Sequence, residues 1–222
     1  MPAYDLDMIA AEGALTDYAI GQLSPIRQVI VSCQKELNPH AAKKVSGQES
    51  IMAALMMESP KGKALSPEFI ENVLIALPHN MPSKHVSNDN RRDGIAPPTL
   101  RSLLGHGLRD LQWRHSLPGV AIHDIVGNRH SKSERLYLMK VKAGMKMPDH
   151  THNGEEWTLI LQGSYSVSNA IFVRGDLHVE TSCGSHAPQI SPAEDCICLV
   201  MTEGRIEPKS PLARLLQPFI GI

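Results

Sequence analysis

The chain is poor in the features that would place it in several common classes. It has only 4 cysteines in 222 residues, too few for a disulfide scaffold in a chain of this length. No apolar run approaches the roughly 18 residues that a membrane-spanning helix needs. The opening stretch MPAYDLDMIAAEG lacks the basic n-region of a secretory signal. Neither charge sign is in excess: 22 Lys and Arg face 23 Asp and Glu, for a net charge of −1. That balance argues against non-specific nucleic-acid or membrane binding, both of which need a basic face. These absences lead us to expect a soluble, cytoplasmic protein of one large or two small domains.

Histidine stands out among the residues present. There are 11, and the imidazole is the commonest metal ligand. Apolar residues make up 42% of the chain, ample for a folded core.

Hydrophobic periodicity divides the chain in two. Up to about residue 77 the spacing is helical. Ser24-Pro25 joins an N-cap side chain to a proline at the first helical position, where the missing N–H costs nothing. Ile26, Val29, Ile30, Cys33 and Leu37 then follow along one face. The same opening recurs at Asn38-Pro39 and Ser66-Pro67, the latter followed by Phe69, Ile70, Val73, Leu74 and Leu77. An earlier helix carrying Leu15, Tyr18 and Ala19 ends at Gly21, a residue suited to C′. The third helix closes on Ile51 to Met57 and is rich in methionine: Met52, Met56 and Met57 read either as plain core or half-exposed positions or as a surface that re-packs against partners. Four helices are thus expected. Residues 78–98 hold four prolines and a polar middle, the composition of a linker, and the boundary is placed at residue 92.

Beyond the linker the period becomes two. In RLYLMKV, Tyr137, Met139 and Val141 face one way while Leu136 and Leu138 face the other. Thr158–Leu161, Ser164–Val167 and Cys196–Met201 read as further strands, punctuated by glycines at 144, 154, 163 and 175. Short strands with such turns imply a β-sandwich or barrel.

One stretch carries chemistry: Pro148-Asp149-His150-Thr151-His152-Asn153-Gly154-Glu155-Glu156. Two residues apart on a strand, His150 and His152 project from the same face. Glu156 follows a glycine turn and can swing a carboxylate into the same space. Gly175-Asp176 forms a later turn, and His186 precedes Pro188. Three imidazoles and one carboxylate suit zinc, iron, manganese, nickel or cobalt. His178 is the rival ligand. Asp195-Cys196-Ile197-Cys198 places two thiols on one strand face, where they read either as plain buried thiols or as oxidant-responsive ones, and Cys183 is weighed in the same way.

HTHxxxE…G followed by GD…H resembles the two motifs of the cupin family, whose fold is a small double-sheeted barrel, the double-stranded β-helix. The resemblance implies one metal ion held by His150, His152, Glu156 and His186, with the glycine-aspartate offset favouring His186 over His178. Zinc comes first, with manganese, iron or nickel as alternatives. LTDYAIGQLSP, PDHTHNGEEWTLILQGSY, DCICL and RLLQPFI together resemble ChrR-type anti-sigma factors along essentially the whole chain. That resemblance implies an α+β protein in two domains: 1–92, a helical anti-sigma-like domain with its linker, and 93–222, a metal-binding cupin barrel.

It also implies a transcriptional regulator rather than an enzyme. The helical domain would clamp an extracytoplasmic-function (ECF) sigma factor with apolar faces of its first three helices and the Ser66–Leu77 helix, and the barrel would sense an oxidative signal. A homodimer through the barrel is allowed. One motif departs from the family's pattern. The zinc ligands usual in the helical domain fall on Ile9, Gln34, Asn38 and Ala41, none of them competent, so no zinc is expected there. The lysines 35, 43, 44, 61 and 63 are scattered, so no direct DNA binding is expected either. The alternative reading is a cupin metalloenzyme, a dioxygenase or isomerase.

Overall fold

A computed structural model describes residues 3–58, 62, 65–76, 94–126, 134–152, 154–181, 187–203 and 206–208, with backbone alone for 3–8, 152 and 206–208. Five helices come first: α1 (Ala3–Ala19), α2 (Pro25–Leu37), α3 (Pro39–Glu58), α4 (Pro67–Ala76) and α5 (Pro98–Leu104). Eleven strands follow: β1 (Arg114–Leu117), β2 (Val120–Val126), β3 (Arg135–Val141), β4 (His150–His152), β5 (Glu156–Gln162), β6 (Ser164–Val167), β7 (Ala170–Val173), β8 (Leu177–Glu180), β9 (Gln189–Ile190), β10 (Cys196–Thr202) and β11 (Ile206–Pro208).

The three Ser/Asn-Pro openings start helices as their chemistry demands. Ser24 Oγ accepts from the Arg27 amide at 3.4 Å, Asn38 Oδ1 from the Ala41 amide at 3.3 Å, and Ser66 Oγ from the Phe69 amide at 3.1 Å. Each satisfies a backbone donor that the first helical turn leaves without a partner. α1 is closed by Gly21, whose φ of +72° is costly for residues with a Cβ.

Three antiparallel sheets build the barrel. The largest runs β1-β2-β3-β10-β5-β8; the others are β7-β6-β9 and β11-β4. Alternation along the large sheet sorts its side chains between two cores. Val120, Ile122, Tyr137, Val141, Ile160, Cys196, Cys198 and Val200 point inward, onto Tyr165, Ala170, Phe172 and Ile190 of the small sheet. Leu136, Leu138, Trp157, Leu159, Leu161, Leu199 and Met201 point outward and meet Leu15, Ile30, Val31, Cys33 and Leu100 of the helices. The large sheet is therefore covered on both faces, and all seven residues of β10 are buried.

Two features were missed in the sequence. α5 begins inside the stretch read as linker; Pro98 sits in its first turn and Gly105, at φ +76°, closes it. The β1–β2 hairpin turns at Pro118-Gly119, with Gly119 at φ +83°, and this turn dipeptide could have revealed it. Most of the expected linker and Leu77 lie outside the described residues.

Within the helical layer, Glu36 on α2 accepts from the Thr99 amide at 2.9 Å and the Thr99 hydroxyl at 2.7 Å, which caps α5. The layer is tied to the barrel by polar contacts as well. Asn38 Nδ2 donates to the Gly175 carbonyl at 3.3 Å, and Arg174 donates to the carbonyls of Gly94, at 2.8 Å, and Ile95, at 3.2 Å. No helix among the described residues is long and apolar enough to cross a membrane.

Candidate metal centre and docking surface

β4 carries the two-histidine motif, and β11 pairs with it, Ile206 opposite His152 and Pro208 opposite His150. The His150 ring is buried, and its Nδ1 lies 2.8 Å from the Pro148 carbonyl. A carbonyl only accepts, so Nδ1 carries the proton and, in the neutral ring, the lone pair lies on Nε2. That is the arrangement of a metal-ligating imidazole, whose second nitrogen is fixed by a backbone acceptor.

Glu156 opens β5, opposite Thr202 on β10 and Glu180 on β8. Its Oε1 accepts from the Thr158 hydroxyl at 3.2 Å. Glu156 shares the face of β5 that carries Ile160, a residue of the inner core, so alternation turns it toward the barrel interior. An acceptor-only carboxylate and an imidazole fixed through Nδ1 are each donors suited to a divalent cation.

The side chain of His152 and all of His186 lie outside the described residues, as does Cys183. Among the described residues, no three His, Cys, Asp or Glu side chains converge to hold a metal.

The rival His178 is engaged otherwise. It is buried on β8 opposite Thr158, shares a 2.9 Å hydrogen bond between Nδ1 and the Tyr165 hydroxyl, and stacks on Phe172 with ring centroids 4.3 Å apart. Burial, more than neighbouring negative charge, raises the Tyr165 pKa well above its ordinary value, so its hydroxyl stays protonated.

Cys196 and Cys198 share one face of β10, as the alternation predicts, and point into the barrel core. Cys198 titrates well above the ordinary thiol range, first because of its contact with Cys196 and then because of burial. Cys33, buried in the outer core, is pushed up to about 12 by desolvation and the nearby Glu36 charge.

At the positions where zinc ligands were sought in the helical layer, other roles are filled. Gln34 and Ala41 are buried, Asn38 caps α3, and Ile9 is exposed.

The apolar faces of α1 and α2, expected from the sequence to clamp a partner, are instead turned onto the barrel. Leu15, Ile30, Val31 and Cys33 are buried in the core under the large sheet, because covering that sheet's second apolar face removes more surface from water than leaving both exposed. The second half of α3 and all of α4 are open instead. Ile51, Leu55, Met56 and Met57 on α3 are exposed, and α4 has no buried residue, with Phe69, Leu74 and Ile75 each more than half exposed. Exposed apolar side chains gathered along a helix in this way mark an interaction site.

Comparison with known proteins agrees with this two-part design. The ChrR cupin-like domain family matches residues 105–205. Over 212 residues the chain is 29% identical to the anti-sigma-E factor ChrR of Cereibacter sphaeroides, covering 96% of this chain and 97% of that protein. It also resembles a chain of the crystal structure of Rhodobacter sphaeroides SigE in complex with the anti-sigma ChrR. There the TM-score is 0.69 at 26% identity, over 86% of this chain and 96% of that one. The relative matched over nearly its whole length is an anti-sigma factor, and the resemblance to ChrR-type proteins drawn from the motifs is borne out.

Proposed function

We propose that this chain, a ChrR-type protein with a helical layer and a cupin barrel, is an anti-sigma factor that regulates transcription in the cytoplasm. Its helical part sequesters an ECF-type sigma factor, and its barrel senses an oxidative signal. The observation that carries this reading is the open apolar surface of α3 and α4. An amphipathic helix seated on a partner uses anchors at i, i+3 and i+4 spacing; Phe69, Ile70, Val73 and Leu74 have that spacing, and nothing within the chain's described residues buries them. Methionines 52, 56 and 57 extend the surface with side chains that re-pack readily.

In the barrel, His150, His152, Glu156 and His186 would hold one divalent cation, zinc first among the candidates. Bound there, the cation would cross-link separate points of the chain and so set the stability of the barrel. His150 and Glu156 supply what this requires, an imidazole oriented by the Pro148 carbonyl and a carboxylate at the start of β5. Release of the partner then needs a signal that changes the free-energy difference between the bound and free states. Oxidation of a ligand, oxidation of Cys196 and Cys198, or loss of the cation would each do so.

The test is co-expression of the full chain with each ECF sigma factor of its host. A stoichiometric complex with one of them is expected, and Phe69→Asp with Leu74→Asp should abolish it while the circular dichroism stays unchanged. No complex with any sigma factor, from a folded chain, would overturn the reading.

A further inference from the structure

Arg27, in the first turn of α2, gathers three carboxylates that the barrel supplies from distant parts of its sequence. Its Nε lies 2.6 Å from Glu134 Oε1, Nη1 lies 2.9 Å from Glu155 Oε2, and Nη2 lies 3.4 Å from Glu203 Oε1. Its guanidinium carbon also stands 5.1 Å from the ring centre of Trp157. The side chain is only 18% exposed, so these pairs are less screened than surface ion pairs. Ser24 adds a 2.5 Å hydrogen bond to Glu134 Oε2 while capping α2. Without the guanidinium, three like charges would face one another at the helix start.

The carboxylates are not anchored independently of the candidate metal centre. Glu155 directly precedes Glu156, and Trp157 directly follows it. Trp157 Nε1 donates to Glu155 Oε2 at 3.0 Å, and the Glu203 amide donates to the Glu155 carbonyl at 2.9 Å. The turn has no slack: a Cβ on Gly154 would stand 2.6 Å from the Glu203 carbonyl oxygen. Strand alternation sends Glu156 inward and Trp157 out to the helices, so one short segment touches both the barrel interior and Arg27.

We propose that Arg27 is a positioning residue that makes the order of the 154–157 turn and the docking of α2 onto the barrel a single equilibrium. A change at Glu156 displaces Glu155 and Trp157, and through Arg27 loosens the start of α2. Conversely, α2 leaving the sheet frees the turn. The inference deepens the sensor reading above, because it names how the state of the barrel reaches the helical layer.

Hydrogen exchange on the full chain tests it, with neither metal nor sigma factor present. Glu155→Gln, a change on the barrel, should speed exchange in residues 28–33 of α2 by about tenfold, within the range of coupling between linked sites. Arg27→Gln should speed exchange in residues 154–158 by a similar factor, and the double variant should be no faster than either single one. Arg27→Lys, which keeps the charge but loses the fork geometry, should fall between. Exchange in β3 should not change. The proposal is overturned if each substitution acts only on its own side, if the two effects simply multiply, or if β3 accelerates equally, which would mark a general loss of stability. Because the sample holds no partner, failure here leaves the anti-sigma reading intact, and failure to bind a sigma factor leaves this coupling intact.

Discussion

The Sγ atoms of Cys196 and Cys198 stand 3.5 Å apart inside the barrel, on successive inward positions of a strand that is buried along its whole length. Their contact and their burial both favour the protonated form of Cys198, and the thiolate is the reactive species. At pH 8 Cys196 and Cys198 should therefore react slowly with a thiol reagent in the folded chain, as followed by peptide mapping, and should reach full reactivity only in denaturant. Rapid modification of both thiols in the native chain would show that the barrel opens to solvent.

Cys33 gives stability a pH dependence of known sign. Its pKa rises from 9.0 to about 12 on folding, so above pH 9 the unfolded chain holds fewer protons than the folded one. Stability contributed by this group is complete below pH 9 and falls between pH 9 and about 12, by up to about 1.4 kcal/mol per pH unit. Urea unfolding at pH 8 and pH 10 should show the decline. Cys33→Ala should be less stable at both pH values, through the cavity it leaves, but its decline should be shallower. An unchanged slope would mean that the thiol titrates normally in the fold.

His150 and His178 should behave differently under substitution. His150→Ala should lower the metal content of the purified chain, read by plasma mass spectrometry, to a small fraction of one ion per chain. His178→Ala should keep the ion but destabilise the barrel, since it removes the Tyr165 hydrogen bond and the Phe172 stack. Loss of metal from His178→Ala with retention in His150→Ala would reverse the ligand assignment.

Gly163, between β5 and β6, has φ +73°, and a Cβ there would lie 2.8 Å from the Asp195 carbonyl oxygen. Gly163→Ala combines an unfavourable backbone with a clash against main chain. It should cost at least about 2 kcal/mol in chemical denaturation. A loss under 0.5 kcal/mol would mean that the Asp195 turn shifts freely.

Severing the chain between residues 92 and 93 should expose Leu136, Leu138, Trp157, Leu159 and Leu199, which the helices now cover. The 93–222 fragment alone should bind a hydrophobic dye or aggregate, and adding residues 1–92 should suppress both effects. A monodisperse, dye-silent fragment would show that the outer face closes by itself.

Much of the fold was legible because its signals are local. A Ser or Asn before Pro supplies a cap within three residues, and all three such pairs start helices. The alternation in RLYLMKV needs only the pleat of one strand, and it placed Leu136 and Leu138 opposite Tyr137 and Val141 correctly. At the candidate site, that the thiols of Cys196 and Cys198 share one strand face was readable for the same reason, while the inward direction of that face came from the packing. The fifth helix was missed because its Pro-Pro pair was read as part of the linker, and the first hairpin because its Pro118-Gly119 turn was not weighed.

The caps, the change of period from helix to strand, and the order of residues in the HTHNGEE motif follow from neighbours a few positions apart and are written into the chain. Which apolar face meets which is settled by long-range packing. The stripe on α2 reads as a partner surface, but it packs on the outer face of the large sheet at β10, leaving the end of α3 and α4 open. Arg27 shows the reason most plainly. It meets Glu134 across 107 positions of chain, and no local pattern encodes a contact between residues that only the packing of a helix on a sheet brings together.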